Sequence, residues 1–275
     1  MESDAPYAPK ANFFPHHEVA IASLIPELDA EPEALAMLIG GSLARGWGRP
    51  DSDIDGHLVI TDEAMAGRLE RDDLVYPRCE EHCGYEGGYF DLKCVTLAML
   101  EDAAERGSEP FRNSYVGAQV RWSRLDHPLD DLLARVTAYP EAGHAEKVLA
   151  FACHLEGLKW FAMEAEKRRD PYLMGWSAQR SALFAGRLIL AHNRILFPFH
   201  KWLMRCVEAA ADKPAGFVEA VNAAITSPSV ETNHVLADLT LGFQDWGRPP
   251  IGWWNPFIRH TEWAWRNGRP PIEEC

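Results

Sequence analysis

Within Gly40 to Ile60, "GGSLARGWGRPDSDIDGHLVI", two groups of residues have types and spacing suited to chemistry. Asp51, Asp53 and Asp55 stand at alternate positions with Gly56 after them, and Gly40, Gly41 and Ser42 precede them. Read as a loop, the acids resemble a calcium-binding EF-hand: Asp51, Asp53 and Asp55 fill the first, third and fifth positions, Gly56 the sixth and Asp62 the twelfth. The flanks reject that reading. No amphipathic helix enters the loop, the twelfth ligand is the shorter Asp, and "HLVI" suits a strand.

Read as a strand, alternation places Asp53, Asp55, His57 and Val59 on one face and Ile54, Leu58 and Ile60 on the other. The apolar face packs under helices. The other face brings two carboxylates together, an arrangement that a cation relieves. Magnesium, which takes carboxylate and phosphate oxygens, fits that need. Upstream, "LIGGS" reads as a strand ending in two glycines and a serine. Such a turn lets backbone N–H groups approach a phosphate, and Arg45 adds positive charge one turn later. A third carboxylate is expected from "YFDLKCV", where Tyr89, Asp91, Lys93 and Val95 share a face.

Gly41 and Ser42, then Asp53 and Asp55, then Asp91 resemble the signature of the nucleotidyltransferase superfamily of DNA polymerase β type, over roughly the first 125 residues. The layout is similar to small bacterial members with a helical second domain, including antibiotic adenylyltransferases acting on aminoglycosides or lincosamides. The resemblance implies two magnesium ions held by Asp53, Asp55 and Asp91, and a nucleoside triphosphate, expected to be ATP, held by Gly41, Ser42 and Arg45. It also implies transfer of a nucleoside monophosphate to a hydroxyl of a small-molecule acceptor, with Asp91 the expected base. A helical-domain lysine often reaches the triphosphate in such enzymes, and Lys201 is the candidate here. One rival is a nucleotide-binding regulatory or antitoxin-like module acting on a protein or RNA partner. Another is a nucleotide-sugar glycosyltransferase, which uses Asp-x-Asp but does not need the Gly-Ser turn.

The elements that must position these residues follow from periodicity. Strands are expected in "ALAMLIGG", "DIDGHLVI", "GGYFDLKCVTL" and "AQVRW", and helices after Thr61 and Thr96. From Glu141 onward long helical patterns dominate, one of them starting at Pro198. The fold class expected is α+β. A nucleotidyltransferase core with a mixed sheet spans 1–126, a linker containing a short helix spans 127–140, and an all-helical domain spans 141–275.

The 275 residues carry a net charge of -14, which argues against stable nucleic-acid binding. No apolar run is long enough for a membrane span, and the first ten residues lack the order of a signal peptide. A cytoplasmic monomer or homodimer with reduced thiols is expected. Among the six cysteines, Cys79 and Cys83 flank His82 in "CEEHC". That cluster, with Cys94, is read either as ordinary thiols or as the start of a zinc site. Glu156 and Lys159 read as an ion pair one helical turn apart; Glu156 or Glu164 facing a cationic acceptor is the other reading. The late tryptophans read as packing, or as a wall for the acceptor.

Overall fold

The computed structural model describes residues 10–249 and 252–268. The chain divides between Ala138 and Tyr139 into two compact units.

The first unit is α+β. Helix α1 (Pro15–Ala30) opens it, with proline at its first position, where the missing N–H is no loss. Ala20, Ile21, Leu24 and Leu28 form its buried stripe. The sheet contains β1 (Ala34–Ile39), β2 (Ile54–Ile60), β3 (Phe90–Val95) and β4 (Gln119–Ser123), in the order β3-β2-β1-β4. β1 is antiparallel to β2 and to β4, while β2 and β3 are parallel, so the sheet is mixed. Helix α2 (Gly41–Ala44) is a single turn between β1 and β2. Helix α3 (Asp62–Arg71) follows β2, and the Thr61 hydroxyl accepts from the Ala64 N–H at 3.2 Å, capping it as Thr residues do.

Alternation sorts the strands into two cores. Met37, Ile39, Ile54, Leu58, Ile60, Phe90, Leu92 and Cys94 lie with the apolar stripe of α1. Ala36, Leu38, Val59 and Val95 face the other way, toward Leu100 of α4 (Leu97–Arg106), Tyr115 after α5 (Glu109–Asn113), and Leu132, Leu133 and Val136 of α6 (Asp130–Thr137). Helix α6 lies in the stretch expected as a linker, yet its apolar face completes the second core of the first unit. That second sheet face is apolar only in part. By the same alternation it carries Asp55, His57, Asp91 and Lys93 where β2 and β3 begin.

The second unit is helical: α7 (His144–Arg168), α8 (Pro171–His192), α9 (Leu203–Ala209), α10 (Phe217–Thr226), α11 (Val230–Leu241) and α12 (Trp254–His260). Helices α7 and α8 pack along one another, and α11 packs on both. The helix expected from Pro198 starts later. Phe199 has φ 64°, a left-handed conformation that cannot continue an α-helix; a 3₁₀ turn, His200–Trp202, leads into α9 instead. No helix among the described residues is long and apolar enough to cross a membrane.

Candidate active site

Three local structures converge where β1, β2 and β3 meet. The first is the turn after β1. Gly41 has φ +61°, a conformation that costs glycine little. A Cβ placed there would lie 2.3 Å from both Cβ and Oδ2 of Asp55, so the chain passes against that carboxylate with no room for a side chain. The Gly40 N–H donates to the Asp55 carbonyl at 2.9 Å and holds the two segments together. Ser42 occupies the first turn of α2, where backbone N–H groups have no intrahelical acceptor.

The second is the start of β2. Asp55 is the register partner of Asp91 across the parallel pair, and His57 that of Lys93. Adjacent strands lie about 4.8 Å apart, and register partners direct their side chains to the same face. Asp55 and Asp91 are both half-buried. Asp53, just before β2, accepts from the Tyr89 hydroxyl at 2.9 Å. That hydrogen bond, and then the Asp53 charge, raise the Tyr89 phenol above its ordinary value. Asp91 lies 3.7 Å from the Lys93 ammonium.

Tyr89 thus lies against Asp53, the glycine turn against Asp55, and Lys93 against Asp91. The group of three Asp, Glu, Cys or His residues whose donor atoms all lie within 4.8 Å of one another is elsewhere in the described residues, at Glu27, Cys79 and Glu81. The three aspartates are more spread than that.

The third is a buried layer beside the acids. His57 stacks on Tyr115 at 4.1 Å between ring centroids, and the Ser114 hydroxyl stands 3.4 Å from its Nε2. Burial, and then the Lys93 charge, lower the His57 pKa to about 3, so the imidazole is neutral. Among the described residues His57 Nδ1 and the Tyr115 hydroxyl have no hydrogen-bond partner, an uncommon state for buried polar atoms.

The remaining expected residues lie as follows. Arg45 is buried, and its Nη2 donates to the Asn113 carbonyl and, at 2.6 Å, to Asn113 Oδ1. Its guanidinium also stands 5.3 Å from the Trp47 ring centroid. Lys201 belongs to the second unit; it is exposed, with Nζ 5.4 Å from the Trp202 ring centroid. Glu156 lies 3.8 Å from Lys159 and 2.8 Å from Arg248, and Glu164 pairs with Lys167 and Arg168. Both glutamates thus serve ion pairs within the helical unit. Among the late tryptophans, Trp246 is buried and Trp253 stacks on Trp254 at 4.0 Å.

Sequence reasoning assigned no role to Tyr89, His57 or Tyr115. Alternation had placed Tyr89 beside Asp91 and His57 beside Asp55. The hydrogen bond to Asp53 and the stacking on Tyr115 join positions far apart in the chain.

No known family profile matches the chain, and no curated protein matches it. The fold is similar to the crystal structure of a nucleotidyltransferase-like protein from Exiguobacterium sibiricum 255-15. Identity is 13%, coverage is 82% of this chain and 73% of that one, and the TM-score is 0.44. At that distance the likeness assigns no activity, which must be argued from this chain's own residues.

Proposed function

We propose that this chain is a magnesium-dependent nucleotidyltransferase that moves a nucleoside monophosphate, AMP from ATP, to a hydroxyl of a small molecule. The observation that carries the reading is the packing of Gly41 against Asp55, with Asp91 as the register partner of Asp55. A turn suited to phosphate and a pair of carboxylates are thereby built against each other. Asp53, Asp55 and Asp91 fit a divalent cation in donor type, since all three offer the hard oxygens that magnesium prefers. Magnesium bound there would neutralise charge on the triphosphate and on the carboxylates.

The chain's own residues take the following roles. Backbone N–H groups at Gly41 and Ser42 receive phosphate oxygens. Tyr89 fixes the Asp53 carboxylate through its hydroxyl. Arg45, turned to Asn113, secures the end of the glycine turn; in this reading its role is to hold that turn. Asp91 takes the proton of the attacking hydroxyl, and the Lys93 ammonium stands 3.7 Å from it. The acceptor oxygen bonds to the α-phosphorus, the bond from that phosphorus to the bridging oxygen breaks, and pyrophosphate leaves. All of these residues lie in the first unit.

Pyrophosphate release from ATP with magnesium, screened across aminoglycoside, lincosamide and simpler polyol acceptors, tests the proposal. Turnover is expected with at least one acceptor class and a loss of 100-fold or more, in order of magnitude, in Asp55→Asn with an unchanged circular-dichroism spectrum. Normal turnover in Asp55→Asn would remove the site assignment. Tight ATP binding with no turnover on any acceptor would favour the regulatory rival.

A further inference from the structure

A second group of metal-type donors lies away from the aspartates. Glu27 projects from α1, while Cys79, Glu81 and His82 belong to the connection between α3 and β3. One oxygen of Glu27, the Cys79 sulfur and one oxygen of Glu81 all lie within 4.8 Å of one another. His82 Nε2 stands 3.1 Å from Glu27 Oε2.

Cys79 is itself buried at 5% exposure, and its thiol donates to the Pro77 carbonyl at 3.2 Å. Burial, and then the charges of Glu27 and Glu81, raise its thiol to about 12. The thiol is therefore uncharged near neutral pH; the two carboxylates beside it carry like charge, and a cation relieves their repulsion. The imidazole is oriented as well. The Ser23 hydroxyl, which donates to the Ala20 carbonyl at 2.8 Å, lies 3.0 Å from His82 Nδ1, and His82 Nε2 lies 3.1 Å from Glu27 Oε2, so the ring is held from both sides. Histidines that bind metals are commonly held this way, with the second ring nitrogen donating to an oxygen.

We propose that Glu27, Cys79 and Glu81, closed by His82, form a zinc site that clips α1 to the segment leading into β3. One sulfur, one imidazole nitrogen and carboxylate oxygens are a zinc donor set. Magnesium and calcium do not favour the thiol, and cuprous ion does not favour the carboxylates. Zinc replaces the thiol proton, which goes to solvent. The clip would fix the stretch that carries Tyr85 and Tyr89 before Asp91. The sequence left the cluster of Cys79, His82 and Cys83 as ordinary thiols or the start of a zinc site with Cys94; in the fold, Glu27 and Glu81 are the carboxylates nearest Cys79.

Cobalt(II) is the probe, because it reports thiolate ligation through an ultraviolet charge-transfer band. The full chain, stripped with chelator and titrated with cobalt, should show that band with one ion bound per chain, and zinc should displace it. Cys79→Ser should abolish the band, whereas Cys206→Ser, in the helical unit, should keep it. Glu81→Gln alters an exposed side chain. It should weaken zinc affinity at least about 10-fold even if Cys79→Ser fails to fold. No thiolate band in the wild type, the same band in folded Cys79→Ser, or unchanged zinc affinity in Glu81→Gln would overturn the site. ATP turnover is a separate readout, so failure of the zinc site leaves the transferase reading standing.

Discussion

Gly41→Ala separates backbone strain from contact with the site. The Gly41 φ of +61° lies in the left-handed region, where a side chain costs about 1–2 kcal/mol. The added Cβ would also fall 2.3 Å from Asp55 Cβ and Oδ2. Contacts that short are not tolerated, so either the turn or the carboxylate moves, and overpacking of this kind costs roughly 1–3 kcal/mol more. The expected total is about 2–5 kcal/mol. Gly87 is the control, with φ +74° and open space around its Cβ position; Gly87→Ala isolates the strain alone, about 1–2 kcal/mol. Urea denaturation followed by tryptophan fluorescence compares the two variants. Transfer activity at saturating ATP should fall far more in Gly41→Ala than its stability loss explains, because the Asp55 carboxylate is displaced. If Gly41→Ala matches Gly87→Ala in both stability and activity, the close approach of turn and carboxylate is not what the site depends on.

Two further changes probe the same unit. His57 has a folded-state pKa of about 3 against 6.5 for an ordinary histidine, so between those values the unfolded chain binds a proton that the folded chain does not. Its contribution is fully present above pH 6.5 and is lost on acidification, by up to about 1.4 kcal/mol per pH unit. Wild type should therefore lose roughly 2 kcal/mol more than His57→Phe between pH 6.5 and pH 5, and parallel denaturation curves would contradict this. Leu133→Ala, on the buried face of α6, should destabilise the first unit by roughly 2–5 kcal/mol; a loss below about 0.5 kcal/mol would mean that α6 is not part of that core.

The strands of the sheet were legible because their residues alternate, and a period of two assigns each side chain to a face whatever the strand pairs with. Asp55 and Asp91 could thus be placed on one face each from the sequence. The cap at Thr61 was legible too: its hydroxyl accepts from the Ala64 N–H at 3.2 Å, as local hydrogen bonding dictates. Helix α1 was not identified in advance; its apolar side gains meaning only from the sheet it covers.

What only the tertiary structure decided is which separately placed groups meet. The parallel register puts Asp55 opposite Asp91, whereas a slip of one residue would have put Phe90 there. The turn at Gly41 brings its backbone onto Asp55, Tyr89 reaches Asp53, and Tyr115 covers His57. Cys79 and His82 meet Glu27, which projects from the helix beside the connection. Periodicity is a property of neighbours in the chain. These contacts join residues tens of positions apart, and their free energy depends on packing, register and burial that no local pattern encodes.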